Sequence, residues 1–260
     1  MNDRLLDVCH AGKGIVCVTG AGGKKTTLYR MAGAHGGRVG LTATVTTMAV
    51  PPQYRDIEIL TPAAELKARV MAARSLRRIA FAEPIEKAGR HGGIPPELVE
   101  DIHREAGFDV TFVKADGARM RLIKSPEAYE PQIPPGTATV IPIVSAQVIG
   151  QPLTAAIAHR PELIAAITGA ELGKALRPIH LARLLASSDG ALRGTGTAHV
   201  VPIINMVDDA ALNAAAHDAA RQALSLTTRF ERVVLACMTA DDPIVAVVGS
   251  EVSSRSDALS

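Results

Sequence analysis

Short runs of β-branched and other apolar residues recur along the chain, at Gly14 to Thr19, Arg38 to Val45, Arg78 to Phe81, Asp109 to Val113, Ala138 to Val144, His199 to Ile204, Arg232 to Cys237 and Pro243 to Val248. They are close to continuous rather than alternating, which is the pattern of strands covered on both faces. Between them, helical text runs at Lys25 to Ala34, Pro62 to Ala73, Pro95 to Ala106, Pro161 to Thr168, Pro178 to Ser187 and Asp209 to Leu226. Several of these helices begin with proline in the first turn, where the missing N–H costs nothing. The last carries Asp208 and Asp209 at its positive end. Strands alternating with helices predict an α/β fold, a mostly parallel sheet flanked by helices.

A mainly helical stretch at about 147–190 interrupts the strand series and predicts an elaboration on that core. The Pro/Gly-rich text from Glu130 to Gly136 reads as a rigid turn, and Ser187 to Thr197 as an exposed loop. Neither has the length of an interdomain linker, so residues 1–260 are expected to form a single domain.

Composition narrows the partners. A net charge of +2, from 28 basic and 26 acidic residues, supplies no global field to recruit nucleic acid or an anionic membrane. Aromatics make up 3% of the chain and tryptophan is absent, which argues against stacking platforms for single strands. Cys9, Cys17 and Cys237 are odd in number and far apart, unlike a disulfide framework or a zinc cluster. No apolar run approaches the roughly 20 residues of a membrane span, and the first residues lack a signal-peptide stretch. The expectation is a cytoplasmic protein without nucleic-acid or membrane partners.

The candidate chemistry starts at TGAGGKKTT, residues 19–27, directly after the first strand. A glycine-rich turn into a helix N-terminus offers unpaired N–H groups and a positive partial charge, a ready anion site. The usual phosphate loop, G-x-x-x-x-G-K-[ST], does not fit. Anchoring on Gly-Lys makes Lys24 the phosphate lysine and leaves Lys25 where the hydroxyl belongs. Anchoring on Lys-Thr makes Lys25 the lysine and Thr26 a magnesium ligand, with Lys24 in the last glycine's place. The second register keeps hydroxyl and lysine side by side in the first helical turn and is the expected one. The alternative is a strand-to-helix turn with two solvated lysines.

Three further segments bear on that choice. In DVTFVKADGARMRLIK, a strand ends near Asp116, placed to hold magnesium beside a phosphate loop, and Arg119, Arg121 and Lys124 follow. An ordinary Asp-Gly turn is the competing reading. In LTATVTTM, Thr46 and Thr47 close a threonine-rich strand end where ligands of open α/β sheets bind, though threonines are also common strand residues. In PIINMVDD, Asn205 and Asp208 resemble the N-x-x-D base-reading element of guanine-nucleotide proteins, with Met206 in place of the usual lysine; an acid there is equally a helix cap. The eight histidines are scattered singly, so no metal centre beyond magnesium is expected.

Taken in order, GAGGKKTTL, TATVTTM, KADGARMRLIKSPEAYEPQIP, AHRPE and INMVDD resemble the YqeC family, accessory proteins of selenium-dependent molybdenum hydroxylases with a P-loop-like, three-layer αβα nucleotide-binding fold. The resemblance implies that Gly20, Ala21, Gly22, Gly23, one or both of Lys24 and Lys25, and Thr26 or Thr27 cradle a phosphate. Lys114 departs from it, standing where the family usually has Glu. The implied function is a magnesium-dependent nucleoside triphosphatase, binding ATP or GTP and acting with a molybdenum hydroxylase or its maturation factors. In it Lys25, Asp116, Arg119 and Arg121 would act on the phosphates, and Thr26 and Asp116 on magnesium. The alternative is a non-hydrolysing chaperone that holds the phosphate of a molybdopterin or a nucleotide.

Overall fold

A computed structural model describes residues 4–250. The chain opens with α1 (Arg4–Val8), β1 (Gly14–Gly20), α2 (Lys24–Ala34) and β2 (Val39–Ala43). Then come β3 (Thr47–Met48), β4 (Ile57–Leu60), α3 (Ala63–Ala72), β5 (Arg78–Pro84), β6 (Arg90–Gly92), α4 (Pro96–Ala106) and β7 (Val110–Lys114). The middle holds β8 (Ile123–Lys124), β9 (Thr137–Ser145), β10 (Ala158–His159), α5 (Pro161–Thr168) and α6 (Pro178–Ala186). The last part contains β11 (His199–Val200), β12 (Ile203–Asn205), α7 (Ala210–Leu226), β13 (Arg232–Ala236) and β14 (Ile244–Gly249).

The main sheet runs β14-β13-β12-β9-β1-β7-β2-β5-β6-β3, with β4 beside β5 and β11 beside β9. The strands from β13 to β5 run parallel to one another, whereas β14 is antiparallel to β13 and closes that edge, and β6 is antiparallel to β5. This is the expected mixed α/β architecture, and β1 lies at its centre between β9 and β7.

Central position explains the apolar text of β1. Val16 and Val18 face one layer, packing with Leu28 and Met31 of α2 and Leu5 and Leu6 of α1. Ile15 and Cys17 face the other, with Leu66 and Val70 of α3 and Val99 and Ile102 of α4. Helices α6 and α7 cover the β12 and β13 end through Leu181, Leu185, Ala216 and Ala220, set against Ile204, Val233 and Leu235, with α5 packed against α6. Both faces are therefore covered, giving three layers. Met31 and Leu66 are fully buried, and truncating either to Ala costs about 2–5 kcal/mol.

Differences from the sequence pattern have local causes. The run from His199 to Ile204 is broken into β11 and β12 at Pro202, which has no N–H for a ladder bond. Strand β4 escaped the pattern because it is a short edge strand, half-buried and paired only with β5. Between β9 and β11 the chain carries the expected helices, α5 and α6, but turns and irregular chain make up more of it than helix does, and it also carries β10, which pairs with β8 in a small separate sheet.

Candidate functional site

The glycine loop crosses from β1 to α2 over Gly20–Gly23, and the backbone geometry requires the glycines. Gly20 and Gly23 have φ of 83° and 117°. A Cβ on Gly20 would lie 2.2 Å from the carbonyl oxygen of Ile143 in β9, and one on Gly23 would lie 2.2 Å from Asn205 Nδ2. No side chain caps α2, whose N-cap is Gly23 itself. The first N–H groups of this 11-residue helix are therefore left for a ligand.

Above the loop lies a cleft of about 560 Å³. Its floor is Ala21, Gly22, Gly23, Lys24, Lys25 and Thr26. One wall is formed by Thr46, Thr47, Met48, Lys87, Arg90 and Lys114, and the other by Gly117 to Leu122 with Met206. Seven of these residues are Lys or Arg and none is Asp or Glu. Such a surface concentrates anions and repels a bare metal ion. Arg119, Met120 and Met206 hold φ of 46°, 62° and 60°, left-handed conformations that non-glycine residues adopt only when the surroundings enforce them.

The two lysines of the loop separate. Lys24 is buried, 6% exposed, and its amine curls back to donate to the carbonyl of Gly20 and to Asp116 Oδ1. Lys25 is half-buried and reaches across the cleft, its Nζ 2.8 Å from Met48 Sδ. The expected register made Lys25 the phosphate lysine, with Lys24 as an added charge at the mouth, and both lysines line the cleft. Helix α2 starts at Lys24, and of the two side chains only that of Lys24 lies over the carbonyl of Gly20. Thr26 is exposed on the cleft floor, while Thr27 is buried and donates to the carbonyl of Gly23 at 3.2 Å.

Asp116 follows β7 and is 2% exposed, behind the loop rather than in the cleft wall. Oδ2 accepts from the N–H of Gly20 at 2.9 Å and pairs with Lys124 Nζ at 3.0 Å, while Oδ1 takes Lys24. Burial alone would raise its pKa, but Lys24 and Lys124 outweigh that and hold the carboxyl below the usual carboxylate range. Lys124 also donates to Glu130 Oε2 at 2.8 Å, and Glu130 pairs with Arg160 at 2.7 Å. These groups form one buried chain of alternating charge.

The remaining expected residues divide in the same way. Arg119, Arg121, Thr46 and Thr47 join the cleft wall, whereas Lys124, Asn205 and Asp208 do not. Asn205 is a brace, with Nδ2 donating to the carbonyl of Gly22 at 2.8 Å and Oδ1 accepting from the N–H of Met238 at 3.1 Å. Asp208 accepts from Gln147 Nε2 at 2.6 Å and from the thiol of Cys237 at 3.2 Å. The helix-capping acid is Asp209, which accepts from the N–H of Leu212 at 2.8 Å.

Sequence reasoning passed over Lys87, Arg90, Met48 and Met120. A signal for the first two existed in the basic, glycine-bearing stretch KAGRHGG. Among the described residues no three His, Cys, Asp or Glu side chains converge as a metal site. With Asp116 engaged on both oxygens, the donors fit magnesium only as the counter-ion of a bound phosphate, with Thr26 as the cleft-facing hydroxyl on α2.

Fold and site together define a mostly parallel α/β protein whose glycine loop opens into a cationic cleft. The chain belongs to the YqeC family: the family described as "YqeC protein" matches residues 16–162, a span that holds the loop and nearly all of the cleft. It is also 29% identical over 184 residues to the Escherichia coli (strain K12) protein described as "Uncharacterized protein YqeC", covering 69% of this chain and 70% of that one.

Proposed function

We propose that the glycine loop binds the phosphate chain of a nucleotide, ATP or GTP, and that the protein works as an accessory factor in maturing a molybdenum hydroxylase. The observation that carries the phosphate reading is the uncapped helix N-terminus of the glycine loop, which opens into a cleft with no Asp or Glu in its lining and with Arg119 and Arg121 on one wall. The maturation role rests on the family resemblance alone. In this reading the loop amides and Lys24 hold the innermost phosphate, and Arg119 and Arg121 neutralise the outer charge.

Whether the phosphate is cleaved separates two versions of the function. Hydrolysis calls for a group that positions water or a metal at the terminal phosphate. The cleft wall offers no carboxylate, and Asp116 is held by two lysines and a backbone N–H. That favours a holder of nucleotide or molybdopterin phosphate over a triphosphatase acting alone. A phosphate-release assay with the partner hydroxylase present distinguishes the two.

Binding is tested by titration calorimetry with ATP and with GTP, each with magnesium. Lys24→Met is expected to weaken nucleotide at least about tenfold, a loss of about 1.4 kcal/mol, and Lys25→Met to weaken it less. Urea denaturation checks that each variant is folded. No heat at millimolar concentrations of either nucleotide sinks the reading.

A further inference from the structure

Of the doubled lysine of the loop, only Lys24 lies against the loop carbonyl. Lys25 points elsewhere, to the wall that carries Met48. In the β3–β6 ladder Met48 stands opposite Arg90, and Arg90 contributes to lowering the pKa of Lys25, second to burial. Lys87 sits at the turn just before, its carbonyl accepting from the N–H of Arg90 at 3.0 Å. Lys25, Lys87 and Arg90 thus form a cationic group with no acid among the cleft residues. Of the carboxylates nearby, Glu58 pairs with Arg55 at 3.2 Å and with His91 at 3.5 Å, Glu83 accepts from the N–H of Ala63 at 2.8 Å, and Glu86, next to Lys87 in the chain, is exposed and outside the cleft lining.

This group is separate from the arginines of the other wall. The loop bearing Arg119 and Arg121 is tied to the end of β9, where the carbonyl of Leu122 accepts from the N–H of Ser145 at 3.1 Å. The wall bearing Arg90 is tied to the end of β2, where the carbonyl of Ala43 accepts from the N–H of Ile94 at 2.9 Å. Those anchors stand three strand spacings apart in the order β9-β1-β7-β2, about 14 Å at the usual separation. A phosphate chain running from the loop amides to Arg119 and Arg121 leaves the opposite wall unneutralised.

We infer that the cleft contains two anion subsites, and that Lys25, Lys87 and Arg90 bind a second, phosphate-bearing small molecule alongside the ligand of the glycine loop. This rests on the proposed phosphate role of the loop, and it names the chemical class of the second ligand. The thioether of Met48, 41% exposed on the same wall, gives that molecule's carbon skeleton an apolar surface.

The test is calorimetric titration of the full chain with inorganic phosphate, before and after saturation with a non-hydrolysable ATP analogue and magnesium. Two classes of phosphate site are expected in the free protein, and one after saturation. The double variant Lys87→Ala/Arg90→Ala should weaken the remaining class at least about tenfold while leaving the analogue's affinity within about twofold. Both residues are exposed, so the fold is expected to survive, and circular dichroism checks it. If the analogue fails to bind but phosphate still occupies two classes, and only one of them is lost in the double variant, the nucleotide reading falls and the two subsites stand. A single class of phosphate site, or phosphate fully displaced by the analogue, overturns the inference.

Discussion

Lys114 stands at the carboxyl end of β7, its Nζ donating to the carbonyl of Thr46 at 2.9 Å. Burial, then Lys24, push its amine down to about 7, with Lys124 and Lys25 adding to the shift against the pull of Asp116. The folded value lies below the ordinary 10.5, so between about pH 7 and 10.5 the unfolded chain holds a proton that the folded chain has released. Stability from this group therefore rises with pH across that window, and below it the cost of burying the ammonium is constant. A bound anion has the opposite effect, drawing the proton back. At about pH 8 phosphate binding should take up close to one proton, read from calorimetric enthalpies in buffers of different ionisation heat. Lys114→Met should abolish the uptake, and buffer-independent enthalpies in the unaltered protein would contradict the assignment.

At the scale of elements, the loop between β1 and α2 is shaped by neighbours distant in sequence. Ile143 of β9 leaves no room for a Cβ at Gly20, and Asn205 at the end of β12 leaves none at Gly23. Asn205 also spends its whole amide on bracing, between the carbonyl of Gly22 and the N–H of Met238. Asn205→Ala should accordingly lower stability by about 1–3 kcal/mol in urea denaturation and weaken phosphate itself, with no base present. A residue that only read a nucleotide base would change neither, so unaltered stability and phosphate affinity would restore the sequence-based expectation. Near-continuous apolar runs located the central strands, because such text marks strands covered on both faces, and the helical text between them, often led by proline, located the six longer helices. The short strands β3 and β6 were not legible: two or three residues carry no period, and their pairing goes with a long-range bond from the N–H of Ile94 to the carbonyl of Ala43. For the same reason Lys87 and Arg90 were missed, although glycines, threonines and ADGAR marked the rest of the cleft. That Lys24 folds back on the carbonyl of Gly20 while Lys25 crosses to Met48 was out of reach as well, since spacing does not show where two adjacent amines turn.

At the scale of the whole molecule, the buried ion chain binds the glycine loop to the distant half of the sequence. It runs from Lys24 through Asp116, Lys124 and Glu130 to Arg160 at the start of α5, joining the floor of the cleft to β7, β8 and the helical region. Alternating signs make each carboxylate the neutraliser of two cations. Asp116→Asn would leave Lys24, 6% exposed, without a counter-charge, and Lys124, 4% exposed, with Glu130 as its one carboxylate partner. Breaking one buried partner in this way costs about 3–5 kcal/mol, far more than the pairs on the surface contribute. The folded pKa values of Asp116 and Glu130 both lie below their ordinary 3.8 and 4.5. Their stabilisation is thus complete above those ordinary values and is lost as pH falls through the depressed ones. Urea midpoints measured from neutral pH down to about pH 3 should show a steep acid loss in the unaltered protein. Asp116→Asn should start lower and fall less steeply, because one of the two titrating carboxylates is gone. Equal midpoints at neutral pH would mean that the chain of charges does not hold the loop, and Asp116 would then be free to serve a ligand directly.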